Sequence, residues 1–362
     1  SGKNKAVFKN SSAKLNSSLE FLTLSEYITP STVWQDPDQG LNLSLQVFFC
    51  LVIICVLLLA FLGNMVVCLM VYQRAAMRSA INILLASLAF ADMMLAVLNM
   101  PFALVTMLTT HWIFGEAFCR MSAMFFWMFL MEGVAILMII SVDRFLIIVQ
   151  KQDKLSPRRA KVLIAVSWSL SFCFSFPLSI GHPALYIPPR APQCVFGYTV
   201  ERGYHAYVML IMLMFFFVPF LVMLYTFMGI LSTLRHNTKL GLMSLQRPFQ
   251  MNVDMSFKTR AFTTILILFS VFTACWAPFA TYSLLSTFSR AFYYRQNFFE
   301  ISTWLLWTCY LKSALNPLIY YWRIKNTSTS CRSFLATLRD VSAPVLFMCA
   351  GIIVLWCSGG HF

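Results

Sequence analysis

Charged side chains are scarce in this chain. They make up 11% of its 362 residues, whereas hydrophobic residues make up 59%. A soluble domain usually carries about 25% charged residues. The scarcity excludes an ordinary soluble protein and predicts a chain whose main solvent is lipid. The formal net charge is +14, but the basic residues sit in short loops and form no continuous cationic face, so we expect no binding to nucleic acid.

Histidine is scarce as well, and two further signals are missing. The five histidines all lie in loops, at the ends of apolar segments or in the tail, whereas an intramembrane zinc hydrolase needs a cluster inside the bundle. We therefore expect no metal, no cofactor and no enzyme activity. No internal repeat with broken helices is visible, which makes a seven-span transporter an equally weak alternative. No signal peptide precedes the first span, so we expect that span to direct insertion.

Long apolar segments are what the chain does have. About 20 apolar residues cross the roughly 30 Å hydrocarbon layer of a membrane, and helices satisfy their own backbone there. Seven such segments predict an all-α integral membrane bundle of seven transmembrane helices, multi-pass in the plasma membrane and surrounded by its lipids. The predicted spans are 45–72, 80–107, 117–148, 161–180, 205–233, 259–288 and 298–322.

Positive charge alternates between the loops and predicts the orientation. The first, third and fifth loops hold most of the Lys and Arg residues, and such loops face the cytoplasm. The N-terminus is then extracellular. We expect three regions: an extracellular glycosylated tail at 1–44, a receptor domain at 45–322, and a cytoplasmic tail at 323–362 with an apolar run at 343–357.

Several residues outside the membrane invite modification. Acceptor sequons begin at Asn10, Asn16 and Asn42, and an extracellular position makes them candidates for glycosylation. Cys119 starts the third span on the outer side, and Cys194 lies in the outer loop after the fourth. Both occupy an oxidising compartment, so we expect a disulfide between them.

Polar residues inside the spans are few, and each needs a partner, since a charge at the membrane centre costs about 2.5 to 3.5 kcal/mol. They are Asn64, Asp92, Glu132, Asp143, Arg144, Lys312 and Asn316.

The polar residues within the spans, together with the prolines of spans five, six and seven, resemble the motifs of the rhodopsin-like, class A G-protein-coupled receptors. Each span carries one piece of the pattern, in order, over roughly three quarters of the chain. The pieces are Gly63-Asn64, Leu88-Ala89-Phe90-Ala91-Asp92, Cys119 with Asp143-Arg144-Phe145, Trp168, Pro219, Cys275-Trp276-Ala277-Pro278, and Asn316-Pro317-Leu318-Ile319-Tyr320.

The resemblance implies roles for these residues. Arg144 would pair with Asp143 at rest and contact a heterotrimeric G protein when span six swings outward. Trp276, beside Pro278, would line the floor of the pocket and act as a toggle. Asn316 and Tyr320 would repack on activation, and Asp92 would sit where many relatives hold a sodium ion.

Lys312 departs from that pattern. It lies one turn before Asn316, and we hypothesise that its ammonium replaces sodium as a built-in counter-cation for Asp92, or for Glu132. An opsin-like photoreceptor is an alternative, because opsins attach retinal to a lysine in span seven. In opsins, however, that lysine stands where this chain has Tyr310.

Two departures concern switching. Relatives often place an acid early in span six, to hold the span-three arginine, and a tyrosine late in span five. This chain has Lys258 and Phe227 there. A cation facing Arg144 repels it, so we expect measurable agonist-free signalling.

The candidate ligand pocket is aromatic under a cationic rim. Its predicted residues are Arg120, Phe126, Trp127, Leu130 and Trp276. Phe126 replaces the aspartate of amine receptors, so the pocket better suits an amphiphile with an anionic head, such as a lysophospholipid or a sphingolipid phosphate.

Segments such as Ser141 to Gln150 and Ala261 to Phe269 also look like an orphan receptor pair from brain that is loosely grouped with lysophospholipid and sphingolipid receptors. The equally serious alternative to a lipid ligand is a pocket filled by the receptor's own side chains, which needs no ligand.

Overall fold

The computed structural model describes residues 43–73, 78–109, 112–180, 185–186, 195–196, 202–243, 248–295 and 298–325. The chain divides into two compact units, residues 1–49 and residues 50–362. Of the first unit, the described part is the beginning of a helix. The second unit is a helical bundle and contains all the polar residues singled out within the spans.

Seven helical segments match the predicted spans, with ends that differ by up to about a dozen residues. The first comprises α1 (Leu43–Leu58), a π-helical turn (Leu59–Gly63) and α2 (Asn64–Gln73), and the second comprises α3 (Ala80–Leu98) and α4 (Met100–Thr109). The third is α5 (Gly115–Ile148), and the fourth is α6 (Pro157–Ser179). The fifth comprises α7 (Arg202–Met212), a π-helical turn (Leu213–Phe217) and α8 (Val218–Met243). The sixth is α9 (Pro248–Phe288), followed by the short α10 (Arg290–Tyr293), and the seventh is α11 (Phe298–Lys325).

Six of these segments are long and apolar enough to cross a membrane by length and composition, and the third is the most buried of the six. The seventh carries two polar residues, Lys312 and Asn316, within its apolar run. Between spans four and five, β1 (Leu185–Tyr186) pairs antiparallel with β2 (Val195–Phe196).

Local sequence explains several helix ends and irregularities. Ser156 caps span four by accepting a hydrogen bond from the backbone N–H of Arg159, and Pro157 occupies the first helical position, where its missing N–H costs nothing. In span five the π-helical turn ends just before Pro219. Proline cannot donate to the carbonyl one turn back, and a wider turn is a common way for a helix to absorb that loss.

Two glycines allow spans to approach closely. A Cβ atom on Gly63 would lie 2.7 Å from Cβ of Pro317, so spans one and seven meet at a point that only glycine fits. A Cβ on Gly229 would lie 2.5 Å from Cε2 of Phe145, which gives the same tight contact between spans five and three. These contacts position the polar residues of span seven and the arginine motif of span three.

Candidate functional site

Asp92 is the centre of a buried polar network. Its carboxylate accepts three hydrogen bonds, all from polar side chains within about one turn of span seven. Lys312 Nζ lies 3.0 Å from Oδ1, Ser313 Oγ lies 2.7 Å from the same oxygen, and Asn316 Nδ2 lies 2.5 Å from Oδ2. A carboxylate inside a membrane protein needs this degree of compensation, because both its charge and its lone pairs are removed from water.

The Lys312 and Asp92 side chains form a buried ion pair. Each is only 3% exposed. The structure therefore places the Lys312 ammonium directly on the Asp92 carboxylate, the position at which the family resemblance implies a sodium ion. Gly133 of span three provides the space, since a Cβ atom there would lie 3.1 Å from Lys312 Nζ.

Asn64 connects span one to the same region. Its side-chain amide donates to the backbone carbonyl of Ser313 at 2.9 Å and to that of Ala60 at 2.7 Å. The first contact crosses from span one to span seven, next to the donor that binds Asp92. Spans one, two and seven are thus joined by directional hydrogen bonds.

Glu132 belongs to a different network. Its Oε1 atom accepts hydrogen bonds from Ser87 Oγ at 3.2 Å and Ser167 Oγ at 3.0 Å, and Trp168 Nε1 donates to Ser87 Oγ at 3.1 Å. The residue is fully buried, and Oε2 has no partner among the described residues. Of the two acids that we considered for Lys312, the structure brings it to Asp92, whereas Glu132 faces spans two and four.

Trp276 lies within an aromatic cluster that joins spans three, five and six. Its ring stacks on Phe216 at 5.2 Å and on Phe272 at 6.0 Å, and it meets Trp127 edge-on at 6.2 Å. Pro278 lies two residues further along the same helix.

The rest of the candidate ligand pocket is also filled by rings. Phe126 is 1% exposed and contacts Phe279 and Tyr310 edge-on, each at 5.9 Å. Leu130 is buried one turn deeper. From span seven it is Tyr310 that faces this cluster, while Lys312 points to Asp92. This geometry offers no lysine to a retinal at the opsin position.

Arg120 and three nearby aromatic residues, Phe129, Phe215 and Phe217, do not join this cluster. Arg120 pairs with Glu116 on its own helix, six residues and therefore about 9 Å along the axis from Phe126. Phe129 and Phe215 face rings of span four, and Phe217 is 39% exposed on the surface of the bundle.

The end of span three that we expect to face the cytoplasm carries the Asp143–Arg144 pair. Arg144 donates through Nε at 3.0 Å and through Nη2 at 2.6 Å to Oδ2 of Asp143. Ser141 and Thr226 share a hydrogen bond of 2.6 Å, which ties spans three and five just inside this pair. The side chain of Lys258 lies outside the described residues, so its position relative to Arg144 stays a prediction.

Phe227 is buried in the interface between spans five and six. Its ring lies 4.9 Å from that of Phe269, which also contacts Phe220 at 5.6 Å. Tyr320, at the end of the Asn-Pro motif, is buried as well. The two residues proposed to repack on activation, Asn316 and Tyr320, therefore start from packed positions.

The predicted sites at the outer surface lie mostly outside the described residues. These include Cys194, the three sequons and the apolar run at 343–357. Cys119 is disulfide-bonded, and the six other cysteines of the described residues are free. The pairing of Cys119 with Cys194 stays a prediction.

Comparison with known proteins places this arrangement in a family. Residues 63–320 match the model of the seven-transmembrane receptors of the rhodopsin family. The chain belongs to that family. It is accordingly a G-protein-coupled receptor and not an enzyme, and it is a multi-pass protein of the plasma membrane.

Several relatives share more than half of their aligned residues with this receptor. "Probable G-protein coupled receptor 63" of Homo sapiens is 68% identical over 86% of this chain and 78% of its own length. "High-affinity lysophosphatidic acid receptor" of Xenopus laevis is 55% identical over 80% and 82%, respectively. "Probable G-protein coupled receptor 45" of Homo sapiens is 54% identical over 79% and 82%. The resemblance to orphan receptors grouped with lipid receptors is confirmed.

The fold of squid rhodopsin matches with a TM-score of 0.69 over 88% of this chain and 94% of that one, at 20% sequence identity. This similarity confirms the seven-helix bundle that the apolar pattern predicts. At that identity it concerns the fold alone.

Sequence reasoning missed several residues that complete the receptor's polar networks. Ser313 is the third donor to Asp92, Gly133 makes room for Lys312, and Ser87 and Ser167 satisfy Glu132. A polar residue beside Lys312 and a glycine beside Glu132 were the available signals. Neither stands out in a single sequence, because serine and glycine are common in transmembrane helices.

Proposed function

We propose that this receptor activates heterotrimeric G proteins and signals without an added agonist. The observation that carries the proposal is the closed aromatic cluster where a ligand pocket is expected. Phe126 and Trp276 are almost completely buried against rings of the receptor's own spans. Side chains that occupy the pocket permanently can hold the toggle residue as an agonist would.

The geometry at the cytoplasmic end supports the same proposal. Arg144 pairs with its sequence neighbour Asp143, and both belong to span three. An ion pair within one helix does not hold span six against span three. The contact between Phe227 and Phe269 does join spans five and six, but it is apolar and lacks the directionality of an ionic lock. The resting state is then only weakly favoured.

Activation of a panel of Gα subtypes, measured in cells at increasing receptor expression, tests the proposal. We expect a signal that rises with surface expression and favours one subtype. Arg144→Ala removes the cation that would contact the G protein and should abolish the signal. Phe126→Ala empties part of the aromatic cluster and should lower it.

The matched control is Phe172→Ala, which removes a ring that is 46% exposed on the surface of span four. It should leave signalling unchanged at equal surface expression. A flat response of the parent receptor at high surface expression would refute agonist-free signalling. Equal losses in Phe126→Ala and Phe172→Ala would refute the role of the aromatic cluster.

An anionic lipid ligand is the second candidate, and a specific similarity favours it. The Xenopus laevis relative that is 55% identical is named a high-affinity lysophosphatidic acid receptor. Arg120, near the outer end of span three, is 35% exposed and would attract a phosphate head, although Glu116 already neutralises part of its charge. A saturable increase in signalling on adding lysophosphatidic acid, lost in Arg120→Gln, would support this candidate. If lysophosphatidic acid causes no increase in a receptor whose basal activity is high, the lipid candidate is refuted and the agonist-free proposal stands by itself.

The orientation and modifications are part of the proposal. Residues 1–44 would form an extracellular tail glycosylated at Asn10, Asn16 and Asn42, and residues 323–362 a cytoplasmic tail. Since Cys119 is disulfide-bonded and the other described cysteines are free, Cys194 is the expected partner from its outer position. Peptide mapping under non-reducing conditions would identify the pair.

A further inference from the structure

Glu132 lies where spans two, three and four meet, and its network is separate from that of Asp92. The residue is fully buried. Its Oε1 atom lies 3.2 Å from Ser87 Oγ of span two and 3.0 Å from Ser167 Oγ of span four. The Oε2 atom is buried and has no partner among the described residues. This acid therefore has two hydroxyl neighbours on one oxygen and none on the other.

No cation neutralises Glu132 within the part of the chain that the structure describes. The three ion pairs found there do not include it, and Lys312 is paired with Asp92. The cations of span four lie in its first two turns, well before Ser167: they are Arg158, Arg159 and Lys161. Asp92 shows what an ionised carboxylate requires inside the bundle, since it has donors on both oxygens and one of them is an ammonium. Glu132 has neither.

The number of hydrogens in this network decides the charge of the acid. Trp168 Nε1 donates to Ser87 Oγ at 3.1 Å, so the single hydrogen of that hydroxyl is free to point at Glu132. The hydroxyl of Ser167 also has one hydrogen, but it faces two oxygens, Glu132 Oε1 at 3.0 Å and the backbone carbonyl of Ile164 at 2.9 Å. An ionised carboxylate supplies no hydrogen. Ser167 could then donate to only one of the two oxygens.

A proton on Oε1 of Glu132 removes this conflict. An O–O contact of 3.0 Å accommodates a hydrogen from either oxygen, so the carboxyl group can donate to Ser167 Oγ. The hydrogen of Ser167 is then free for the carbonyl of Ile164. A proton also needs no additional space, which suits an acid whose second oxygen is buried without a partner. Each donor in the chain then has one acceptor, in the order Trp168, Ser87, Glu132, Ser167 and Ile164.

We infer that Glu132 is a proton-binding site, neutral in this structure, whose carboxyl proton is donated to Ser167 while Asp92 stays ionised beside Lys312. Only the neutral acid can accept from Ser87 and donate to Ser167 through the same atom. The proton therefore acts as a bound ligand that joins the middle of spans two, three and four. The inference goes beyond the proposed signalling function, and its test does not depend on signalling.

Infrared spectroscopy of the purified full chain tests the inference, because a protonated carboxyl group has a C=O stretching band that a carboxylate lacks. At neutral pH we expect the parent to show one such band that is missing in Glu132→Gln. The matched control is Glu116→Gln on the same span, which removes an acid that is 65% exposed and paired with Arg120. It should leave the protonated band in place. A difference spectrum in which Glu132→Gln loses a carboxylate band instead would refute the proton-binding site.

A second pair of variants tests the hydrogen bond that the proton makes. Ser167→Ala removes the acceptor of the carboxyl proton and should shift the band of Glu132 to higher frequency. Its matched control is Ser171→Ala, one turn further along span four, which removes a buried hydroxyl that has no partner among the described residues. It should leave the band unchanged. Equal shifts in both variants, or no shift in Ser167→Ala, would overturn the inference. Since Ser167→Ala keeps Glu132 itself, it stays informative if Glu132→Gln does not fold.

Discussion

Removal of the Lys312 ammonium should make the stability of this receptor depend on sodium. Lys312 and Asp92 are each 3% exposed and lie 3.0 Å apart. Lys312→Met keeps the length of the side chain and removes its charge. Among the described residues, Asp92 then keeps the hydroxyl of Ser313 and the amide of Asn316 as its donors. Breaking a buried ion pair by deleting one partner costs about 3 to 5 kcal/mol, because the other charge stays behind.

A cation from solution can offset much of that cost. An ion that binds the folded state alone stabilises it by about 2.7 kcal/mol at a concentration 100 times its dissociation constant. Sodium should therefore restore more than half of the loss in Lys312→Met. In the parent receptor Lys312 Nζ already contacts Asp92, so added sodium should have no effect.

Thermal unfolding of the purified receptors measures this, in sodium chloride and in choline chloride of equal ionic strength. The parent should unfold at the same temperature in both salts. Lys312→Met should unfold several degrees lower in choline and recover with sodium in a saturable way. Asp92→Asn/Lys312→Met removes both charges and should respond to neither salt. A sodium-dependent parent, or a Lys312→Met variant without a sodium response, would refute the built-in counter-cation.

Three further substitutions test the packing around these networks. Gly63→Ala should lower surface expression, because its new Cβ would lie 2.7 Å from Pro317 and such overpacking costs about 1 to 3 kcal/mol; normal expression would contradict that contact. Glu132→Gln should leave the unfolding temperature equal or higher, since it removes a buried acid that forms no ion pair among the described residues and whose Oε2 has no hydrogen-bond partner there, and a fall of several degrees would indicate an ionised partner. Gly133→Val should displace the Lys312 ammonium and give a receptor that gains stability in sodium, while an unchanged salt response would show that Lys312 does not need this space.

The seven-helix fold and the family motifs could be predicted from sequence because they depend on local patterns. An apolar run of sufficient length forms a helix in lipid whatever surrounds it. The choice of partner for Lys312 could not be decided in this way. Asp92 and Glu132 both lie within reach of an inward-facing side chain, and the choice depends on the rotation of span three, which turns Glu132 toward Ser87 and Ser167.

The sequence also could not predict which side chains occupy the candidate ligand pocket. Thirty-five phenylalanines make aromatic runs unavoidable, and a run such as Phe215, Phe216 and Phe217 points in three directions on a helix. Only Phe216 of these reaches Trp276. The sequence identifies a run of aromatic residues, but the rotation of the helix determines which of their rings point into the bundle.

The two halves of span six are held in different ways, and this difference predicts where the receptor moves. Near the middle, the backbone carbonyl of Cys275 accepts a hydrogen bond from Thr308 Oγ1 at 3.0 Å, which ties span six to span seven. Toward the end that we expect to face the cytoplasm, Phe269 contacts the rings of Phe227 and Phe220. Ring contacts lack the directionality of a hydrogen bond, and Pro278 removes one backbone hydrogen bond beside Cys275.

The cytoplasmic half of span six should therefore pivot about the region between Cys275 and Pro278. Phe269→Ala deletes the ring contacts below this pivot and should raise agonist-free signalling at equal surface expression. Thr308→Val deletes one of two donors to the Cys275 carbonyl and leaves Cys309 Sγ at 3.6 Å. It should change signalling much less, because the contacts of the Phe269 ring still hold the segment that moves. The opposite ranking of the two variants would place the mobile part of span six on the extracellular side of Cys275 and contradict the hinge.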